Sequence, residues 1–288
     1  MATVRLACLP YDGLGRGEDP DRAHAMIRWL VQSTDASSQI GRGMAPVGLL
    51  NGREQARLAA LRVEKRRHDW LLGRWTAKHL LQATMMETGQ LPVTLDRIEI
   101  GNDAAGAPFA RLVDPEADAV PAERLPVSLS ISHSGDRAFC AVHWHEASLR
   151  GEMDADGADA TVVGCDIERI EPRDASFVRA YFTGAESAAV AAAPASLCPL
   201  LVTALWSAKE AVLKAWRVGL RVDTRAVDCD LGPWMGALPA VSGYPWQPFS
   251  IRVSGEIGRM APPAARVDGW WRVADGYVMT LALRHVVC

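Results

Sequence analysis

The sequence lacks any Cys-x-x-Cys pair: its six cysteines stand at 8, 140, 165, 198, 229 and 288. None is spaced from a histidine as a zinc site requires, which excludes zinc-ribbon and thioredoxin-like chemistry. No run approaches the ~18 apolar residues of a membrane span. The opening MATVRLACLP carries one arginine and no long apolar stretch of the kind a secretory leader needs. Surplus charge is missing too, since 31 Lys+Arg face 34 Asp+Glu, for a net charge of −3 and a pI near 6.2. A general nucleic-acid binder would be strongly basic. With 49% apolar and 23% charged residues, the chain is neither disordered, collagenous nor a disulfide scaffold. The expectation is a reduced, soluble, cytoplasmic protein with no nucleic-acid and no membrane partner.

The 288 residues present are enough for one large domain or two smaller ones, each with its own core. The first 50 residues are rich in Gly, Ser and Pro around a short helix expected near His24–Gln32. A helical region follows from about Gly52 to Thr88, as two helices or one broken helix. It is basic: Arg53, Arg57, Arg62, Lys65, Arg66, Arg67, Arg74 and Lys78 stand against Glu54, Glu64 and Asp69. Such a run is ordinarily a solvated face, and it also focuses potential for a polyanion. VSLSISH alternates, with Val127, Leu129 and Ile131 on one face and serines on the other, and leads through Ser134-Gly135-Asp136 into an apolar strand. This is a hairpin with His133 at its rim. GEMDADGADA, residues 151–160, is an acidic linker separating an N-terminal half, 1–150, from a C-terminal half, 161–288.

The second half opens with the strand TVVGCDIE. Its helix, PLLVTALWSAKEAVLKAWRV, has Pro199 in the first turn and Gly219 just past the end. Further strands are expected around Cys229 and over Phe249–Val253, Val267–Val273 and Val278–Leu283. Trp75-Thr76-Ala77-Lys78-His79 resembles Trp206-Ser207-Ala208-Lys209-Glu210, 131 residues later. Five residues can match by chance, or they can mark a duplicated α+β unit. Trp70, Trp75, Trp206 and Trp216 fall at helical core positions.

In GCDIER, strand alternation puts Val163, Cys165 and Ile167 on one face and Asp166 with Glu168 on the other. Two carboxylates so placed repel unless a cation or basic group lies between them. Mg²⁺, a hard oxygen-seeking ion, suits them, as does plain solvation on an exposed strand. Gly164 leaves room for something to approach the backbone. Glu210, Lys214 and Arg217, spaced i, i+4, i+7, share one helix face, opposite an apolar stripe of Leu201, Leu205, Ala208 and Val212. Alone, Glu210 and Lys214 make a surface pair. Together with Asp166 and Glu168 they make a candidate metal and phosphate site.

LSISHSG, GCDIER and WSAKEAVLKAWRVGL, in this order, resemble the 4′-phosphopantetheinyl transferases of the surfactin-synthetase-activating (Sfp-type) class. The resemblance runs from about Arg53 to the C-terminus. It implies an α+β fold, a pseudo-twofold tandem of two similar halves with the active site in the cleft between them. It implies transfer of the phosphopantetheine arm of coenzyme A to a serine of an apo acyl or peptidyl carrier protein, in polyketide or nonribosomal peptide biosynthesis or on a fatty-acid synthase carrier. The product would be holo carrier protein with adenosine 3′,5′-bisphosphate. Asp166, Glu168 and Glu210 match the Mg²⁺-binding acids, and Glu210 also matches the residue that deprotonates the serine. Lys214 matches a phosphate-binding lysine, with Lys209 beside the base. Ser132, His133 and Arg57 match coenzyme A contacts. One position departs from the pattern: Ala107 stands where a G-K-P lysine is usual, so either the adenosine end is held differently, by Arg67 or Arg111, or affinity for coenzyme A is lower. His79 at the repeat position of Glu210 implies one site per chain and a monomer. A metal-dependent phosphohydrolase and a non-catalytic coenzyme A or carrier-binding protein are the alternatives.

Overall fold

In the computed structural model the described residues are 7–10, 26–114, 124–145, 161–232, 245–260 and 265–285. The linker expected at 151–160 lies outside them. The chain divides into two units, Met1–Ile131 with Asp136–Met153, and Ser132–Gly135 with Asp154–Cys288. The tip of the S-H-S hairpin therefore groups with the second unit.

The first unit contains an antiparallel sheet of β1 (Ala7–Pro10), β2 (Met26–Ser33), β5 (Val127–Ser134) and β6 (Arg137–Trp144), in the order β1-β2-β6-β5. A short helix α1 (Ser38–Gly41) precedes α2 (Gly52–Ala60) and α3 (Glu64–Glu87), and β3 (Ile98–Asn102) pairs with β4 (Pro108–Leu112). The helical region thus breaks into two helices, and α2 starts with a capping box between Asn51 and Glu54. Ala77, Leu80, Leu81 and Met85 of α3 pack on Leu30, Leu129, Cys140 and Val142 of the sheet. Trp70 and Trp75 pack, half-buried, at the edge of a second cluster around Leu71 and Leu72.

The helix expected near His24–Gln32 is instead β2. Ile27 and Leu30, three apart, mimic a helical stripe, but Ile27, Trp29 and Val31 are residues that favour a pleated surface. The ladders to β1 on one side and β6 on the other decide the matter. Such long-range pairing leaves no local trace in the sequence.

The second unit is built on the same plan. Its sheet runs β7 (Val162–Arg169), β11 (Tyr277–His285), β10 (Arg266–Ala274), β9 (Gln247–Val253), β8 (Val227–Asp230), antiparallel throughout. The helices are α4 (Ala175–Tyr181), α5 (Gly184–Ala192), α6 (Cys198–Ala215) and α7 (Gly255–Met260). The expected strands of this half all form. The predicted apolar stripe of α6, Leu201, Leu205, Ala208 and Val212, is buried in one cluster with Val278 and Ala282 of β11. Burial of each such large side chain is worth about 1.5–3 kcal/mol.

Helix α6 ends at Ala215, earlier than Gly219 implied. Arg217 adopts the left-handed conformation at φ 55°. Its amide donates to Lys214 O at 2.9 Å and the Val218 amide to Leu213 O at 3.2 Å, a Schellman closure usually given to glycine. Arg217 consequently leaves the helix and does not continue the Glu210–Lys214 face.

Candidate functional site

Gly164 sets the distance between β7 and α6. A Cβ there would stand 2.0 Å from Ala211 O and 2.6 Å from Ala215 N. What approaches the glycine backbone is therefore helix α6 itself. By strand alternation Gly164, Asp166 and Glu168 share the face turned to α6, where Asp166 meets Lys214 and Glu168 meets Trp206.

Lys214 is the centre of the cluster. Its Nζ donates to Asp166 Oδ1 at 2.7 Å, to Ser132 Oγ at 3.0 Å and to Cys165 O at 3.1 Å. Glu210 Oε2 lies 4.0 Å away, one helical turn back. Ser132 Oγ in turn donates to the same Asp166 Oδ1 at 2.7 Å. Burial works against the ammonium. Asp166, then Glu210, outweigh it and hold the Lys214 pKa above the usual lysine range. Glu210 is raised from the ordinary glutamate value by burial, which Lys214 opposes and Asp166 reinforces.

Glu168 is held separately. Trp206 Nε1 donates to its Oε1 at 3.1 Å, and Ser134 Oγ to its Oε2 at 3.3 Å. Arg173 Nη2 lies 3.4 Å from Oε2, with its guanidinium over the Phe177 ring. The Ser134 hydroxyl also accepts the Arg169 amide at 3.1 Å. Burial and the nearby Asp166 push the Glu168 carboxyl up to about 7, against the pull of Arg173, Trp206 and Ser134.

The donor set is chemically suited to a divalent ion. Asp166 Oδ2 is buried and has no hydrogen-bond partner among the described residues. An orphaned carboxylate oxygen with Glu168 and Glu210 nearby is an oxygen donor of the kind a hard cation takes. Among the described residues no three His, Cys, Asp or Glu side chains form a group that could hold a metal. Asp166 and Glu210 are the oxygens on offer beside Lys214.

The structure thus brings Asp166, Glu210, Lys214 and Ser132 together, with Glu168 on the adjoining side. His133 is exposed at the hairpin tip. Lys209 does not join the cluster. It is fully buried, and its Nζ lies 2.7 Å from Glu186 Oε2. Arg57, exposed, and Arg67, half-buried, lie in α2 and α3 of the first unit. Arg111 pairs with Glu99. Ala107 is half-buried at the end of the β3–β4 turn, where its amide donates to Asp103 Oδ1 at 2.9 Å. Ser134, Trp206 and Arg173 are contributors that sequence reasoning passed over. Ser134 was visible as the last member of S-H-S, and Trp206 as the residue one turn before Glu210. No sequence signal marks Arg173.

The strand registers also locate the counterparts of these residues in the first unit. Ser33 pairs with the first residue of β6, as Arg169 pairs with the first of β11. Leu30 and Gln32 therefore occupy the places of Asp166 and Glu168. On the helix, His79 and Ala83 occupy those of Glu210 and Lys214. The first unit keeps the plan and none of the site's charged residues.

Residues 162–250 match the model of the 4′-phosphopantetheinyl transferase superfamily. That stretch holds Asp166, Glu168, Glu210 and Lys214. No curated protein matches the chain. Among solved structures, an ACPS–CoA complex from Chronobacterium ammoniagenes is 16% identical with a TM-score of 0.35, covering 45% of this chain and 99% of that one. An apo-ACPS structure from the same genus is 20% identical with a TM-score of 0.31, covering 49% and 100%. A holo-ACP-synthase from Plasmodium yoelii is 18% identical with a TM-score of 0.27, covering 42% and 94%. Among the described residues, no helix is long and apolar enough to cross a membrane.

Proposed function

We propose that this chain transfers the 4′-phosphopantetheine arm of coenzyme A to a serine of an apo acyl or peptidyl carrier protein, as a Mg²⁺-dependent enzyme of the Sfp-type class. The observation that carries the reading is the meeting of Asp166, Glu210, Lys214 and Ser132, with Lys214 Nζ 2.7 Å from Asp166 Oδ1, on the stretch that matches the transferase superfamily.

The reaction forms a bond between the serine Oγ and the phosphorus bearing the pantetheine. It breaks the pyrophosphate bridge, and adenosine 3′,5′-bisphosphate leaves. Glu210 takes the hydroxyl proton, and burial, which raises its pKa above the ordinary glutamate value, makes it a stronger base there. Lys214 supplies fixed positive charge to the phosphate oxygens. Ser132 anchors Asp166 and Lys214, and with His133, Arg57 and Arg67 belongs to the coenzyme A side of the proposal. Asp166, Glu168 and Glu210 would hold Mg²⁺, which when bound offsets the charge gathering on the pyrophosphate. Glu168 would take part by giving up its hold on Trp206 and Arg173.

Incubation with coenzyme A, Mg²⁺ and an apo carrier protein, followed by intact mass spectrometry, tests the reading. A mass gain of about 340 Da on the carrier, a charge-adding serine modification, is expected with the native chain. It is lost in Glu210→Ala. No gain on any of several carrier types, with coenzyme A still bound, overturns the transferase reading in favour of a binding protein. Consumption of coenzyme A without a carrier would instead identify a phosphohydrolase.

A further inference from the structure

Lys209 and Lys78 are both fully buried, a costly place for an ammonium unless every donor is matched. Each is matched three times. Lys209 Nζ meets Glu186 Oε2 at 2.7 Å, Thr224 O at 3.1 Å, and Val227 O. Lys78 Nζ meets Leu49 O at 2.7 Å, Leu95 O at 3.1 Å, and Glu54 Oε2.

The two carboxylates are equivalent in every contact. Glu186 and Glu54 are each the third residue of a helix closed by a capping box, α5 on Thr183 and α2 on Asn51. The Oε2 of Glu186 accepts the Thr183 amide at 2.8 Å, and that of Glu54 the Asn51 amide at 3.2 Å. Their Oε1 atoms accept the amide of the third residue of the next strand, Cys229 at 2.9 Å and Ile100 at 3.1 Å. Each lysine thus ties its long helix to the preceding short helix and the following strand.

We propose that the Lys209–Glu186 pair is a positioning clamp that aims Glu210 at Asp166, and that Lys209 takes no part in the chemistry. Three acceptors fix both the rotation and the axial setting of α6 at residue 209. Glu210 follows about 100° round the helix, on the side facing β7. The Ser207–Thr280 hydroxyl contact at 2.9 Å holds the same turn to β11. The duplicate in the first unit, beside His79 rather than an acid, shows that the clamp persists where the site's acids are absent.

The inference rests on reading Asp166, Glu168 and Glu210 as divalent-cation ligands, and the test separates the two. Full-length protein stripped with chelator is titrated with Mn²⁺, followed by loss of the free-ion EPR signal, alongside thermal unfolding. Native protein, Lys209→Met, Lys78→Met and the double variant Lys209→Met/Glu186→Leu are compared. Both single variants lose thermal stability. Lys209→Met weakens Mn²⁺ binding by about tenfold or more, the scale seen when a ligand's support is removed, and Lys78→Met by less than about twofold. The double variant leaves no unpaired charge but frees the Thr183 and Cys229 amides that Glu186 accepted, so it recovers part of the stability lost in Lys209→Met and keeps the weakened Mn²⁺ affinity. Equal affinity in Lys209→Met and native protein overturns the clamp. So does equal loss in Lys209→Met and Lys78→Met, or recovery of affinity in the double variant. If native protein binds no Mn²⁺, the metal reading itself fails and the clamp's role falls with it.

Discussion

The carbonyl oxygen of Ala211 stands 2.0 Å from where any side chain at residue 164 would begin. Gly164 therefore lets α6 lie directly on β7, with Asp166 against Lys214 and Glu168 against Trp206 of the helix. Gly164→Ala cannot be absorbed by a rotamer change, because the obstructing atoms of Ala211 and Ala215 are all backbone. Overpacking of this kind costs about 3 kcal/mol. Denaturant unfolding should register that loss, and carrier modification should fall with it. A fully active, equally stable Gly164→Ala protein would contradict the close approach.

Arg217 carries the opposite kind of strain, since a side chain occupies the left-handed turn that closes α6. Arg217→Gly should stabilise the chain by about 1 kcal/mol, the usual penalty for that conformation in residues with a Cβ. The gain would appear as a higher melting temperature with unchanged Mn²⁺ affinity. A lower melting temperature would mean that the arginine side chain contributes more than its backbone costs.

Glu168 gives the metal-free protein a pH signature. Its folded carboxyl titrates near 7, above the 4.5 of a free glutamate. The folded state then holds a proton that the unfolded state has released. The associated stability is complete below about pH 4.5 and is lost as pH rises through 7, on the order of 3 kcal/mol in all. Urea unfolding in chelator across this range should show the decline in native protein and a flatter profile in Glu168→Gln. The same decline in both would assign it to other groups.

An acidic carrier protein would be drawn to the basic face of α2 and α3. Arg66 is exposed and Arg67 half-buried near the start of α3. Reversing both to glutamate should slow carrier modification severalfold at low salt, and the difference should shrink as salt screens it. Unchanged rates at low salt would put the docking surface elsewhere.

Much of the second unit was legible in its sequence because its signals are local. Alternation in GCDIER assigned Asp166 and Glu168 to one face, and the 3.6-residue stripe of α6 assigned Glu210 and Lys214 to the other side of the apolar seam. The β2 strand was misread as a helix because both of its ladders come from distant segments. The contacts of Lys209 were hidden for a related reason. A lysine next to the candidate base in sequence is about 100° away on the helix, and its partners lie on α5 and at the start of β8. The grip of Arg173 on Glu168 depends on how the chain turns after β7, which no motif records.

Strand β5 has a consequence for how this protein can be taken apart. Val127–Ile131 belongs to one unit, Ser132–Gly135 to the other, and the chain returns to the first at Asp136. A fragment beginning at residue 154 would keep every acid of the site and lose Ser132 and Ser134. Asp166 and Glu168 would each forfeit a hydroxyl donor, and the Arg169 amide its acceptor. The second unit is thus not a cassette that can be excised or transplanted at residue 154. Any fusion or domain exchange has to carry the hairpin tip along, and with it the strand on which the tip is mounted.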